Sequence, residues 1–261
     1  MMSGLERIAR VFERNETAFM PYAVLGYPTR EGGLEVIRTL VRAGADILEL
    51  GVPFSDPLAD GPVIQAATQK SLENGTTLAG CIEMVRQLRA EGIEVPALLM
   101  GYLNPMLAYG LEELVDTATL AGVDGFIVPD LPPEEAEDFD RLCTEAGLAL
   151  IYFLAPTSTP ERIAWVTNHA QGFIYLVSVT GVTGERQGLP DYLTALIHRV
   201  RAETSTPVVV GFGIGNAEQA RLVGSVADGV VVGSALVRLA GESPAAVGAL
   251  ATAIKATLRP S

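Results

Sequence analysis

At 261 residues, 49% hydrophobic and 19% charged, the chain is long enough to bury a large core and too apolar to remain disordered. A net charge of -13 opposes nucleic-acid backbones, so any phosphate it holds is expected to rest on backbone amides rather than on a basic patch. No apolar run approaches the roughly 20 residues of a membrane-spanning helix, so a soluble, cytoplasmic protein is expected.

The N-terminal segment lacks the apolar core of a signal peptide. Its Leu5, Ile8, Ala9 and Phe12 recur at helical spacing, which predicts a short amphipathic lead-in helix. Strand-like runs then follow at 19–25, 46–51, 97–101, 124–128, 149–153, 173–177, 207–211 and 228–232. Segments with helical periodicity separate them, among them 34–44, 111–122 and 161–168. Near-continuous apolar strands alternating with amphipathic helices imply a parallel sheet covered by helices. Eight such units without a linker predict one α/β domain over 1–261, a (β/α)8 TIM barrel with a short extra N-terminal helix. A doubly wound open sheet is the alternative, but it would usually need fewer strands, and no GxGxxG opens the first unit.

Capping signals agree with this register. Thr159-Pro160 and Asn216 with Gln219 mark helix starts, and Gly44, Gly122 and Gly147 stand where helices end. Two post-strand connections are longer than turns. The 51–62 connection is stiffened by three prolines, whereas 178–190 carries glycines at 181, 184 and 188 and reads as a lid.

Connections after strands lie on the catalytic face of such barrels, and phosphate sites there favour the loops after strands seven and eight. The glycine-rich turns 211–219 and 232–237 occupy those positions, and Ser234 adds a hydroxyl donor. Glu49 sits within an apolar strand on the same face as Ile47 and Gly51, where burial raises a carboxyl pKa. Asp60 follows in the stiff loop above that strand end. Two carboxyls in unlike surroundings suit divided acid and base roles.

The remaining residues narrow the chemistry. The only lysines, Lys70 and Lys255, fall in helical stretches away from strand ends, which argues against Schiff-base chemistry. His169 and His198 read as surface or helix-packing residues, no spacing suggests a metal site, and Cys81 and Cys143 read as reduced core thiols. From the residues alone, the chain is expected to perform acid–base chemistry on a small phosphorylated metabolite carrying its own electron sink.

The run LELGVPFSDPLADGPVIQ (48–65) resembles the signature of the tryptophan synthase α family. The likeness continues through LGYPT (25–29), LLMGYLNP (98–105), VPDLPPEE (128–135), YLVSVTGVTG (175–184), GFGI (211–214) and GSALV (233–237). This resemblance implies retro-aldol cleavage of indole-3-glycerol phosphate to indole and glyceraldehyde 3-phosphate, with Glu49 as acid and base and Asp60 on the indole N–H. It places Tyr22 beside the ring, Tyr102, Ile127 and Tyr175 at the indole end, and Thr183 closing onto Asp60. Phosphate would rest on Gly184, Gly213, Gly233 and Ser234.

It also implies a β subunit partner in an α2β2 heterotetramer, met through Phe54, Leu58, Met106 and Leu107. Pyridoxal phosphate would belong to that partner alone, and this chain would carry no cofactor or metal. Tyr22 and Tyr27 depart from residues common in the family. A stand-alone lyase releasing free indole is the alternative.

Overall fold

A computed structural model of the chain describes residues 2–14, 16–177, 189–211 and 213–258. Eight parallel strands close into a barrel in the order β1 to β8: Ala18–Val24, Leu48–Gly51, Ala97–Met100, Gly125–Ile127, Ala149–Leu154, Ile174–Val177, Val208–Gly211 and Gly229–Val232. All eight were expected from their apolar runs, with ends displaced by at most two residues.

The predicted helices appear as Arg30–Arg42 (α2), Leu111–Ala121 (α6) and Pro160–His169 (α8). Thr159 caps α8 by accepting from the Arg162 N–H, and Asn216 caps Ala217–Gly224 (α10) by accepting from Gln219. The Gln219 side chain reaches the Gly215 N–H, one residue before the cap, so the reciprocal bond of a strict capping box is displaced. Gly44, Gly122 and Gly147 all have positive φ, as helix-ending glycines should. The β2–β3 connection carries two helices, Pro62–Glu73 (α3) and Leu78–Ala90 (α4), the first of which is the helical stretch expected around Lys70.

The lead-in helix, Gly4–Phe12 (α1), closes the N-terminal end of the barrel. A capping box between Ser3 and Glu6 starts it. Ile8 and Val11 join the inner cluster of Met20, Ile47, Leu98, Ile127 and Phe173, and Phe12 lies 6.0 Å from Phe173. Burying Ile8 and Val11 there contributes about 1.5–3 kcal/mol each. Ala9, expected on this apolar face, is exposed: with Val11 as the second anchor, the helix turns that side to solvent.

Three aspartates fasten neighbouring strands at the same end. Asp46, Asp124 and Asp228 precede β2, β4 and β8, and each accepts from the backbone N–H of a residue at the start of the preceding strand. Phe19, Ala97 and Val208 donate these bonds at 2.7, 2.7 and 2.8 Å. Each carboxylate is also paired with a cation. Lys255 lies 2.6 Å from Asp46, Arg201 lies 2.8 Å from Asp228, and Arg7 and Arg89 lie 2.5 and 2.6 Å from Asp124. A buried charge survives when it is both paired and hydrogen-bonded, and these satisfy both conditions.

Among the described residues no helix is long and apolar enough to cross a membrane. Asp124→Ala leaves two guanidiniums largely out of water without their carboxylate. It should lower unfolding free energy by about 3–5 kcal/mol, measured as a reduced urea midpoint.

Candidate active site

The opposite end of the barrel holds a cavity of about 140 Å³ lined by Tyr22, Glu49, Asp60, Ile64, Met100, Tyr175, Gly211, Gly213, Val231, Gly233 and Ser234. Strand alternation explains the choice of wall residues. Tyr22 and Glu49 are register partners on β1 and β2, Tyr175 and Gly211 stand on β6 and β7, and Val231 stands on β8. Two of the glycines make room for phenols. A Cβ on Gly51 would lie 2.1 Å from the Tyr22 hydroxyl, and one on Gly211 would lie 2.5 Å from that of Tyr175. Any larger residue at 51 or 211 would displace a wall of the site.

Glu49 is 1% exposed, and neither carboxyl oxygen has a hydrogen-bond partner among the described residues. Burial pushes its pKa up to about 8; the neighbouring Tyr175 hydroxyl moderates the rise and the Asp60 carboxyl adds to it. At neutral pH this group is protonated and able to donate.

Asp60 is held from above. The Ala59 N–H donates to the Tyr102 hydroxyl at 2.9 Å, Phe54 packs on the Tyr102 ring at 5.4 Å, and the Gln65 side chain donates to the Asp60 carbonyl at 2.8 Å. Partial burial raises the Asp60 pKa above the ordinary aspartate value, and the Tyr102 hydroxyl offsets part of that rise. The two carboxyls differ as their surroundings do: Glu49 is sealed and Asp60 is half-buried.

At the third corner, Gly213 follows β7, and Gly233 with Ser234 opens Ser234–Ala240 (α11) after β8. Amides in a helix's first turn have no intrahelical acceptor, so they offer donors beside the two carboxyls.

Most of the expected site residues therefore come together: Tyr22, Glu49, Asp60, Tyr175, Gly213, Gly233 and Ser234 share one cavity. Tyr102 and Ile127 do not line it. Tyr102 is tucked beneath the loop bearing Asp60, and Ile127 is fully buried in the inner cluster below. Thr183, Gly184 and the expected lid lie outside the described residues. Three wall residues were not anticipated: Met100 and Val231 follow from strand alternation, whereas nothing local singles out Ile64, and Gly211 stands at the head of the glycine-rich turn expected there. Among the described residues no group of three metal-ligating side chains forms.

Of the four residues expected to meet a partner, Leu58 and Leu107 are 92% and 54% exposed and Phe54 is partly covered. Met106 is buried in the core, so its side chain is not available as a contact. The expectation for Met106 is thus corrected: the short helix Leu103–Tyr109 (α5) turns it inward.

A family described as tryptophan synthase alpha chain matches residues 8–258. The chain is 52% identical over 237 residues to a tryptophan synthase alpha chain from Chloroflexus aurantiacus, covering 89% of each. It is 50% identical over 243 residues to one from Roseiflexus castenholzii, covering 92% of this chain and 93% of the relative. A solved structure of Mycobacterium tuberculosis tryptophan synthase superposes with a TM-score of 0.92 at 37% identity, covering 98% of this chain and 99% of that one. A structure from Aquifex aeolicus gives 0.91 at 41% identity, covering 99% and 100%.

The sealed carboxyl has a thermodynamic consequence. An unfolded Glu49 ionises near 4.5 and the folded one near 8, so rising pH ionises the unfolded chain first. This group's contribution to stability is therefore lost progressively between those two values. Glu49→Gln should be more stable than the parent at pH 8, by about 3–5 kcal/mol. The advantage should shrink towards pH 4.5, as followed by denaturant unfolding across that range.

Proposed function

We propose, from the premise that the chain belongs to the tryptophan synthase alpha chain family, that Glu49 and Asp60 divide the acid–base and charge-holding work of its reaction. That reaction is the cleavage of indole-3-glycerol phosphate, a carbon–carbon lyase step in tryptophan biosynthesis. One observation carries the assignment of residues: a buried Glu49, without a hydrogen-bond partner among the described residues, opens onto the same cavity as Asp60 and the two glycine turns.

In this reading the phosphate rests on amides around Gly213 and Gly233 with the Ser234 hydroxyl. This fixes the substrate's length against the cavity. Glu49 gives its proton to indole C3, and the positive charge that develops on the ring nitrogen is held by the Asp60 carboxylate. Glu49, now ionised, removes the proton of the adjacent glycerol hydroxyl. The oxygen's electrons form the aldehyde carbonyl, the carbon–carbon bond breaks, and its pair returns to the indole ring. Glyceraldehyde 3-phosphate and indole leave, and Glu49 is again protonated. Tyr22 and Tyr175 flank the ring, and Tyr102 acts by positioning Asp60. Thr183 and Gly184 are retained in this reading as closing and phosphate contacts.

The family implies a β subunit partner. Exposed Leu58 and Leu107, with Phe54, supply an apolar contact for it on the catalytic face. An α2β2 assembly in the cytoplasm, one barrel domain over 1–261, and pyridoxal phosphate carried by the partner alone complete the proposal. The stand-alone lyase is not favoured, because relatives about half identical to this chain, such as those from Chloroflexus aurantiacus and Roseiflexus castenholzii, are tryptophan synthase alpha chains.

Removing either group should cost about 10²–10⁴ in rate. Glu49→Gln should abolish measurable indole release while retaining phosphate-dependent ligand binding, and near-normal turnover would overturn its role. The cleavage kcat/KM of the parent should fall as pH rises through about 8, where Glu49 loses its proton. Asp60→Asn should weaken affinity for the indole portion as well as rate. Turnover of the purified chain with and without a β subunit distinguishes the paired from the stand-alone enzyme.

A further inference from the structure

The barrel end opposite the catalytic cavity contains a larger hollow, of about 590 Å³. It lies between α1, the approach to β2 and the segment entering β3. Four guanidiniums line it, from Arg7, Arg10, Arg14 and Arg89, against the carboxylates of Asp46 and Glu94. In a chain of net charge -13 with only 18 basic residues, this is a local reversal of sign.

The hydrogen bonding sets Arg89, committed to the fold, apart from Arg7, Arg10 and Arg14, which keep donors to spare among the described residues. Arg89 donates to the carbonyls of Gly122, Ile93 and Val95 and to Asp124, which commits it to the fold. Arg7 spends Nε on Asp124 and Nη1 on the Met2 carbonyl, leaving Nη2 available. Arg10 forms no hydrogen bond or ion pair with any described residue. Arg14 reaches only Asp46, at 3.5 Å, and Lys255 and the Phe19 N–H already hold that carboxylate. Arg7 also helps depress the Arg89 pKa, after burial, as like charges held close together do.

Guanidiniums with spare donors in a partly enclosed hollow recognise oxyanions by paired, charge-assisted hydrogen bonds. Asp46 and Glu94 in the wall offset part of this positive field, and Lys255 and the Phe19 N–H already hold the Asp46 carboxylate. We propose that this hollow binds a small phosphate-bearing anion through Arg10, Arg14 and the free Nη2 of Arg7, with the Arg89–Asp124 pair as its floor. The site is separate from the catalytic phosphate turns, which lie at the other ends of the strands.

The probe is pyrophosphate, titrated against chloride of matched ionic strength and followed by backbone amide NMR. Binding should shift Arg10, Arg14, Ile93 and Glu94 in addition to any response at Gly213 and Gly233. The Arg10→Glu/Arg14→Glu double variant should bind at this site at least tenfold more weakly, with indole release unchanged. Arg10→Gln/Arg14→Gln repeats the test without charge reversal should the first variant fold poorly. Shifts confined to Gly213, Gly233 and Ser234, shifts reproduced by chloride, or unaltered affinity in the variants would each overturn the proposal.

Discussion

The desolvation of a single carboxyl is the constraint around which this barrel is arranged. The apolar interior that stabilises the fold also surrounds Glu49, whose carboxyl oxygens have no hydrogen-bond partner among the described residues to compensate a charge. The protein accommodates the group by keeping it protonated, and a protonated carboxyl near neutral pH is what proton delivery to a carbon needs.

The two ends of the barrel treat carboxyls in opposite ways. At the strand N-termini, Asp46, Asp124 and Asp228 each accept a backbone N–H and pair with a cation, so the strands are tied together. At the strand C-termini, neither Glu49 nor Asp60 pairs with a cation among the described residues, and the Asp60 loop is held through Ala59 and Gln65. The first arrangement serves stability and the second leaves capacity for a substrate. Barrels of this kind generally separate these tasks between their two faces.

Small residues decide the shape of the catalytic end as much as reactive ones do. Gly51 and Gly211 allow the hydroxyls of Tyr22 and Tyr175 to sit where side chains would otherwise project. Both phenols keep their protons, because burial and the nearby carboxyls raise their pKa values far above the ordinary tyrosine value. They therefore form polar but uncharged walls beside Glu49 and leave its ionisation to the substrate's chemistry.

The sequence by itself determined the eight strands, the helix caps, the lead-in helix and the placing of Glu49 and Asp60 at the same strand end. Each rests on information local to a few residues: apolar runs, capping side chains, and an acid embedded among leucines. Strand alternation also places Met100 and Val231 on the inward face of their strands, beside the site. Only the tertiary structure decided that Tyr102 supports a loop, that Ile127 lies below the cavity, that Met106 faces the core, and that Ile64 reaches the site. Only the closed barrel brings Arg7, Arg10, Arg14 and Arg89 to one hollow, from segments about 80 residues apart in the chain. A side chain's direction within a connection, and the company it keeps across the barrel, depend on closure of all eight strands, and no local pattern encodes that closure.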